Sequence, residues 1–217
     1  MRNQARKIYT GTGDVKTTGI LGSFRLTKHS IRIESLGSLD ELNSNLGFLL
    51  SLSDNIFSKS KSKKIASLFR EMIQQIQRDL FVIGAELSRP LIKSNTNPHP
   101  LRRHYPLSVS FRKNYIPSIT HKEIHRIEIA IDHFQERLPP LKNFILPQGH
   151  PVGAFLQVVR AICRRTERRI VQLAVHSRIN PLALAYLNRL SDLLFVLSRA
   201  VNHKSKKAEL LWSHSLF

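Results

Sequence analysis

At 217 residues the chain is long enough for one domain or at most two, and a hydrophobic content of 41% excludes a disordered polymer. Its 34 Lys+Arg against 15 Asp+Glu leave a net charge of +19, which directs attention to anionic partners. The single cysteine, Cys163, excludes an intrachain disulfide and a cysteine-built zinc site, and no run approaches the roughly 20 apolar residues of a membrane-crossing helix.

The first segment, 8–37, reads as a long loop. The residues before Thr10 are basic without an apolar signal core, so no long cleaved targeting peptide is expected, and a cytoplasmic location is. The loop carries Thr10, Gly11, Thr12, Gly13, Asp14, Val15, Lys16, Thr17 and Thr18, with Lys28 downstream. Glycines let backbone N–H groups approach a phosphate, threonine hydroxyls add neutral donors, and Lys16 and Lys28 are point charges. Asp14 suits a metal ion or the ordering of the loop. The segment is not a P-loop, because GxxxxGK[ST] is absent, and on composition alone a plain Gly/Thr turn is the simpler reading.

Five helices are predicted. The first spans 39–52, with Ser38 and Glu41 spaced as a capping box and Leu39, Leu42, Leu46 and Leu49 on one stripe. Asp40 falls in its first turn, where the helix dipole favours an acid; the functional alternative is an ion pair to an arginine of another subunit. The second spans 63–87, with an inner stripe Ile65, Leu68, Met72, Ile76, Leu80, Ile83 and Leu87. Residues 88–120 form a basic connection without Asp or Glu, and 58–64 is a second basic run. The third helix spans 121–138, opened by Thr120 and Glu123 and closed by Pro139-Pro140. The fourth spans 152–177. The fifth follows Asn180 as N-cap with Pro181 at its first position and runs to about His203. Nothing reads as a strand ladder. The prediction is an all-α, five-helix bundle forming one domain over 1–217.

The fourth helix holds the most chemistry. Arg160, Arg164 and Arg168 recur every four residues beside the stripe Val159, Ile162, Cys163, Thr166, Ile170 and Leu173. Glu167 lies at pairing distance from Arg164, yet four arginines and one glutamate in 164–169 leave most of the charge without a local partner. An anion site or a subunit interface follows. On the fifth helix Asn188 and Asp192 share a face; Asn suits an adenine or ribose edge, and Asp can lock a neighbouring guanidinium. The histidines show no metal-ligand spacing.

The segments YTGTGDVKTT with Lys28, RIESLGSLDELNSNLG, FILPQGHP, RAICRRTERR and INPLALAYLNRLSDLLFVLSR together resemble the cobalamin adenosyltransferases of the propanediol-utilisation type. The resemblance implies a bundle assembled as a homotrimer with active sites between subunits. It implies transfer of the 5′-deoxyadenosyl group of ATP to cob(I)alamin, forming adenosylcobalamin and releasing triphosphate. By the same resemblance, the Thr10–Gly19 loop and Lys28 wrap the triphosphate. Arg164, Arg165, Glu167 and Arg168 contact ATP and its Mg²⁺, Mg²⁺ lying near Glu167, and Asn188 holds the nucleotide. Arg160 pairs with Asp40 of a neighbour, Asp192 orients the arginines, and Phe144 crowds the lower face of the corrin.

Two positions depart from the family pattern. GDVKTT stands where GDKGTT is usual, so Lys16 replaces a glycine, at about 1 kcal/mol if that position needs positive φ; alternatively the lysine has exchanged places with Val15. Pro147-Gln148-Gly149-His150 stands for a PGG turn and adds bulk near the implied corrin site. A basic helical RNA- or DNA-binding protein is the alternative from another class, and a degenerate corrinoid-binding relic the alternative within the family. Against the first, the basic tracts lack interleaved aromatics.

Overall fold

The computed structural model describes residues 9–21, 24–57, 63–89 and 117–212. Most of the basic connection 88–120, including Arg102, Arg103, His99 and His104, lies outside them, as do residues 58–62. Two short strands, β1 (Thr17–Ile20) and β2 (Phe24–Thr27), precede five helices: α1 (Ile31–Phe57), α2 (Lys63–Leu87), α3 (His121–Gln135), α4 (Pro151–His176) and α5 (Pro181–Lys204). The fold is therefore mostly helical, but a small antiparallel hairpin stands where the sequence suggested only loop. It pairs Thr17 with Thr27 and Gly19 with Arg25.

The first helix differs most from expectation. It starts eight residues early, after Ser30, whose carbonyl accepts from the Glu34 N–H at 3.0 Å. Ser38 and Glu41 are not a cap, and Asp40 is an interior helical residue rather than a first-turn one. The small polar residues of this stretch serve packing. Buried Ser35 donates to the Arg169 carbonyl at 3.1 Å, and buried Thr166 donates to the Ser38 carbonyl at 3.0 Å, so serines at 35 and 38 let α1 lie close against α4.

The other helices lie within three residues of their predicted ends. Thr120 and Glu123 form the predicted capping box on α3. Regular helix ends at Gln135 rather than Leu138, because Arg137 and Leu138 bond three residues back, to Phe134 and Gln135, ahead of Pro139. His150 caps α4, and Asn180 caps α5 by accepting from the Leu182 N–H at 3.0 Å.

Helix α4 packs between α1 and α5; α2 covers α1, and α3 covers α5. Leu42, Leu46, Leu49, Leu156, Val159, Leu187 and Leu190 are fully buried at the centre, each contributing roughly 1.5–3 kcal/mol for a large side chain. On α2 the stripe enters through Phe69 and Ile73, and Leu68, predicted inside, is exposed; Ile65 is not described at side-chain level. A polar knot closes the bundle: buried Asp79 of α2 accepts from Tyr186 of α5 at 2.8 Å and from Gln75 at 3.0 Å, and pairs with Arg126 of α3. Cys163 is buried and its thiol pKa is raised, chiefly by desolvation, as suits a core residue. No described helix is long and apolar enough to cross a membrane.

Candidate functional site

Three regions carry the predicted residues. In the first, Gly11 takes φ +69 and its carbonyl accepts from the Asp14 N–H at 3.1 Å, turning the Thr10–Asp14 segment back on itself. Lys16 has φ +62, so the residue that replaces the family glycine does occupy the left-handed region. Lys28 joins this turn. Its N–H donates to the Lys16 carbonyl at 2.9 Å, and its Nζ would stand 3.8 Å from a Cβ placed on Gly13.

Arg25, which sequence reasoning passed over, is the staple of this loop. It donates to the Thr12 carbonyl at 2.5 Å, the Thr17 carbonyl at 3.1 Å and Thr17 Oγ1 at 2.9 Å. Its cross-strand partner is Gly19. Thr17 is its diagonal neighbour across the pair, within reach of a long side chain. No sequence motif marks Arg25; its role exists only once the hairpin has formed.

The second region is the arginine row of α4, and helix α1 divides it. Arg165 pairs with Glu41 at 2.5 Å and Arg169 with Glu34 at 3.6 Å, so carboxylates from α1 neutralise half the cluster. The predicted Arg164–Glu167 pair does not form. Glu167 instead accepts from Asn188 Nδ2 at 3.3 Å, and Asn188 Oδ1 accepts from Arg189 at 3.0 Å. Among the described residues neither Arg164 nor Arg168 has a carboxylate partner; Arg168 donates to the Arg164 carbonyl at 3.2 Å. Arg164, Arg160 and Asp192 line one cleft of about 880 Å³ together with Phe195 and Arg189, and the carboxylates Glu128, Asp132 and Glu136 line it as well, Glu128 paired with Arg189. Desolvation, and then the charge of Arg164, lowers the Arg160 pKa. The part-buried Arg160 guanidinium thus lies beside the exposed Arg164, an arrangement that an incoming anion relieves.

The third region is the Phe144–Pro151 segment. Phe144 is 78% exposed and, with Leu141 and Trp212, lines an open cleft of about 530 Å³. The segment is paired to the end of the described chain: Trp212 N–H donates to the Phe144 carbonyl at 2.8 Å, and Leu146 N–H to the Leu210 carbonyl at 2.9 Å. Buried Arg199 ties both sides together through Glu209 at 2.8 Å and the Pro139 carbonyl at 2.9 Å. His150 is used as the cap of α4, its Nδ1 accepting from the Val152 N–H at 3.3 Å.

The chain brings together Arg160, Arg164 and Asp192, and separately Glu167 and Asn188. It does not bring Asp40 to them: Asp40 is exposed and lines a groove between α1 and α2. No hydrogen bond or ion pair among the described residues joins the Thr10–Gly19 loop, or Phe144, to the arginine row. No group of three or more His, Cys, Asp or Glu side chains among the described residues could hold a metal ion.

Comparison with known proteins accounts for this combination of helices and arginines. A protein from Cupriavidus metallidurans named cobalamin adenosyltransferase is 35% identical over 215 residues, covering 98% of this chain and 97% of its own. A corrinoid adenosyltransferase from Mycobacterium leprae is 38% identical, covering 90% of this chain and 91% of its own. A variant of the PduO-type ATP:corrinoid adenosyltransferase from Lactobacillus reuteri, complexed with cobalamin and ATP, superposes with a TM-score of 0.78 at 30% identity, covering 96% of this chain and 100% of that one. The sequence profile of the cobalamin adenosyltransferases matches residues 8–201, from the glycine-threonine loop to the end of the fifth helix, and the chain belongs to that family.

Proposed function

We propose that this protein transfers the 5′-deoxyadenosyl group of ATP to the cobalt of cob(I)alamin. The observation that carries the reading is the pair Arg160 and Arg164, set in one cleft with Asp192 and Phe195 and without a carboxylate bonded to Arg164. Cobalt(I) supplies the electron pair that forms the Co–C5′ bond. The C5′–O bond breaks, its electrons leave on triphosphate, and cobalt ends formally as cobalt(III). The protein needs no nucleophile of its own. Its contribution is to align C5′ with cobalt and to stabilise charge as it builds on the leaving group.

In this reading Arg164, with Arg165 and Arg168 beside it, faces the phosphate chain, and Thr10, Gly11, Thr12, Gly13, Asp14, Lys16, Thr17, Thr18 and Lys28 wrap it. Asn188, braced by Glu167 and Arg189, holds the nucleoside. Asp192 orients Arg160 and Arg164. Phe144 takes the lower face of the corrin, where an apolar ring displaces the axial ligand without adding charge. Mg²⁺ binds characteristically through phosphate oxygens and one or two carboxylates, which fits single carboxylates such as Glu167 and Asp14 rather than a protein-built cage. It would add positive charge at the triphosphate.

Separate faces for Asp40, the loop and the arginine row are reconciled if the site is built between subunits of a homotrimer, with Asp40 of one protomer against Arg160 of the next. A cytoplasmic location completes the reading. The test is direct: purified protein with ATP, Mg²⁺ and chemically reduced cobalamin should form the light-sensitive cobalt–carbon product. Absence of that product with fully reduced corrinoid would refute the assignment.

A further inference from the structure

Two groups of polar side chains lie between α4 and α5, one at the Phe144–Pro151 segment and one reaching the arginine cleft, and they meet at Gly153. At one end Asn202 of α5 grips the turn on both sides of Gly149. Its Nδ2 donates to the Gln148 carbonyl at 2.9 Å, and its Oδ1 accepts from the His150 N–H at 2.9 Å. Gly149 has φ +119, and a Cβ there or on Gly153 would fall 2.5 Å from Asn202 Oδ1. Both glycines are therefore required by this approach. One turn back on α5, Ser198 donates to the Gly153 carbonyl at 2.8 Å and accepts from Gln157 Nε2 at 3.1 Å. Gln157 Oε1 in turn accepts from Arg160 Nε at 2.7 Å. Phe195, a further turn along α5 towards the cleft, lies under the same guanidinium, 5.9 Å from Cζ to ring centroid.

The chemistry sets the direction of every bond. The Ser198 proton is committed to the Gly153 carbonyl, so its lone pair can only receive the Gln157 amide N–H. The Gln157 oxygen then faces Arg160, whose Nε can only donate. Gln157, Ser198 and Asn202 are all buried, at 6%, 1% and 4% exposure. Buried hydrogen-bonded polar groups favour one geometry, because turning the Gln157 amide would break its bonds to both Ser198 and Arg160. Gln157 fixes the guanidinium through Nε and leaves both terminal amino groups free of protein hydrogen bonds among the described residues.

We infer that Gln157 is a positioning residue for Arg160, and that Asn202, packed on Gly153, and the Ser198–Gln157 pair, bonded to the Gly153 carbonyl, together link the placement of the Phe144–Pro151 segment to the arginine cleft. The inference rests on the adenosyl-transfer reading above and deepens it. Corrinoid docking against that segment and the orientation of Arg160 become one mechanical unit.

The test is a double-variant cycle on the full chain, measuring kcat and KM for ATP together with Tm. Gln157→Met keeps volume and removes both hydrogen bonds. It should lower kcat about tenfold, as expected when a charge-stabilising group is misaligned. In an Arg160→Lys background, which has no Nε to orient, the same change should cost less than about twofold in kcat, with a fall in Tm no larger than in the parent. Ser198→Ala, a smaller change that frees the Gln157 amide to turn, should act in the same sense and stands in if Gln157→Met does not fold. Equal fold losses in kcat in both backgrounds, or no loss in the parent enzyme, overturn the inference and leave the function intact. A parent enzyme that forms no adenosylated product overturns the functional reading, and the inference with it.

Discussion

Asn188 on α5 donates its side-chain amide to Glu167 on α4, 3.3 Å away, and this bond crosses the helix pair beside the arginine row. The carboxylate predicted to neutralise Arg164 is thus engaged elsewhere, and Asn188 is braced on its other side by Arg189. Replacing Asn188 with Asp sets a second carboxylate against Glu167 and removes the donor. KM for ATP should rise about tenfold or more, in keeping with a lost hydrogen bond and a new like-charge contact. Adding Glu167→Gln should recover part of that loss. Steady-state kinetics at varied ATP and saturating corrinoid checks both; an unchanged KM in Asn188→Asp removes Asn188 from the nucleotide site.

Arg164 and Arg165 are neighbours in sequence with different surroundings. Arg165 is bonded to Glu41, whereas Arg164 has no carboxylate partner among the described residues and lines the cleft. Arg164→Ala should reduce kcat about 100-fold or more, the scale of losing a charge that stabilises a leaving group. Arg165→Ala should act mainly on the α1–α4 contact, costing roughly 1 kcal/mol or less for a half-exposed pair. Turnover for the first and chemical denaturation for the second separate the roles. A full-rate Arg164→Ala enzyme refutes its assignment while leaving the family membership untouched.

Much of the bundle is readable in the sequence because its signals are local. Pro181 after Asn180, Thr120 with Glu123, and the uninterrupted stripe from Val159 to Leu173 each act within a turn or two of chain. The departures arise where distant partners decide. Ser35 and Ser38 look like helix-start residues, yet they sit inside α1 because α4 presses on them through Arg169 and Thr166. The periodicity of α2 placed Leu68 on the inner stripe, and packing buries Phe69 instead. Arg25 and Asn202 have no sequence motif at all. Their value comes from bonds to Thr12 and Thr17, and to Gln148 and His150, which exist only once the hairpin and the α4–α5 pair have formed.

Lys16 tests whether a departure from the family pattern is tolerated or used. At φ +62 a lysine carries strain that glycine does not, so Lys16→Gly should stabilise the loop by up to about 1 kcal/mol, less the extra entropy glycine has when unfolded. If the ammonium group also meets the triphosphate, the same change should raise KM for ATP several-fold as Tm stays level or climbs. That opposition between stability and affinity is the expected result, measured by calorimetry and kinetics on one preparation. A gain in stability with unaltered KM would mean that Lys28, which lies against Gly13, supplies the lysine charge alone.

His150 makes the start of α4 sensitive to acid. Its Nδ1 must be unprotonated to accept from the Val152 N–H, and desolvation, then the charge of Lys207, lowers its pKa below the ordinary 6.5. A lowered folded-state pKa means that the unfolded chain binds the proton more readily. The contribution to stability is therefore complete above pH 6.5 and is lost as the pH falls through the folded-state value. The effect should be local, since Asn202 holds the same turn through the His150 N–H and the Gln148 carbonyl. His150→Asn preserves a capping acceptor that does not titrate in this range. Its Tm relative to the parent should be flat above pH 7 and should improve steadily between about pH 6.5 and 5. Parallel Tm curves for the two proteins across that range would show that His150 is not the group that titrates.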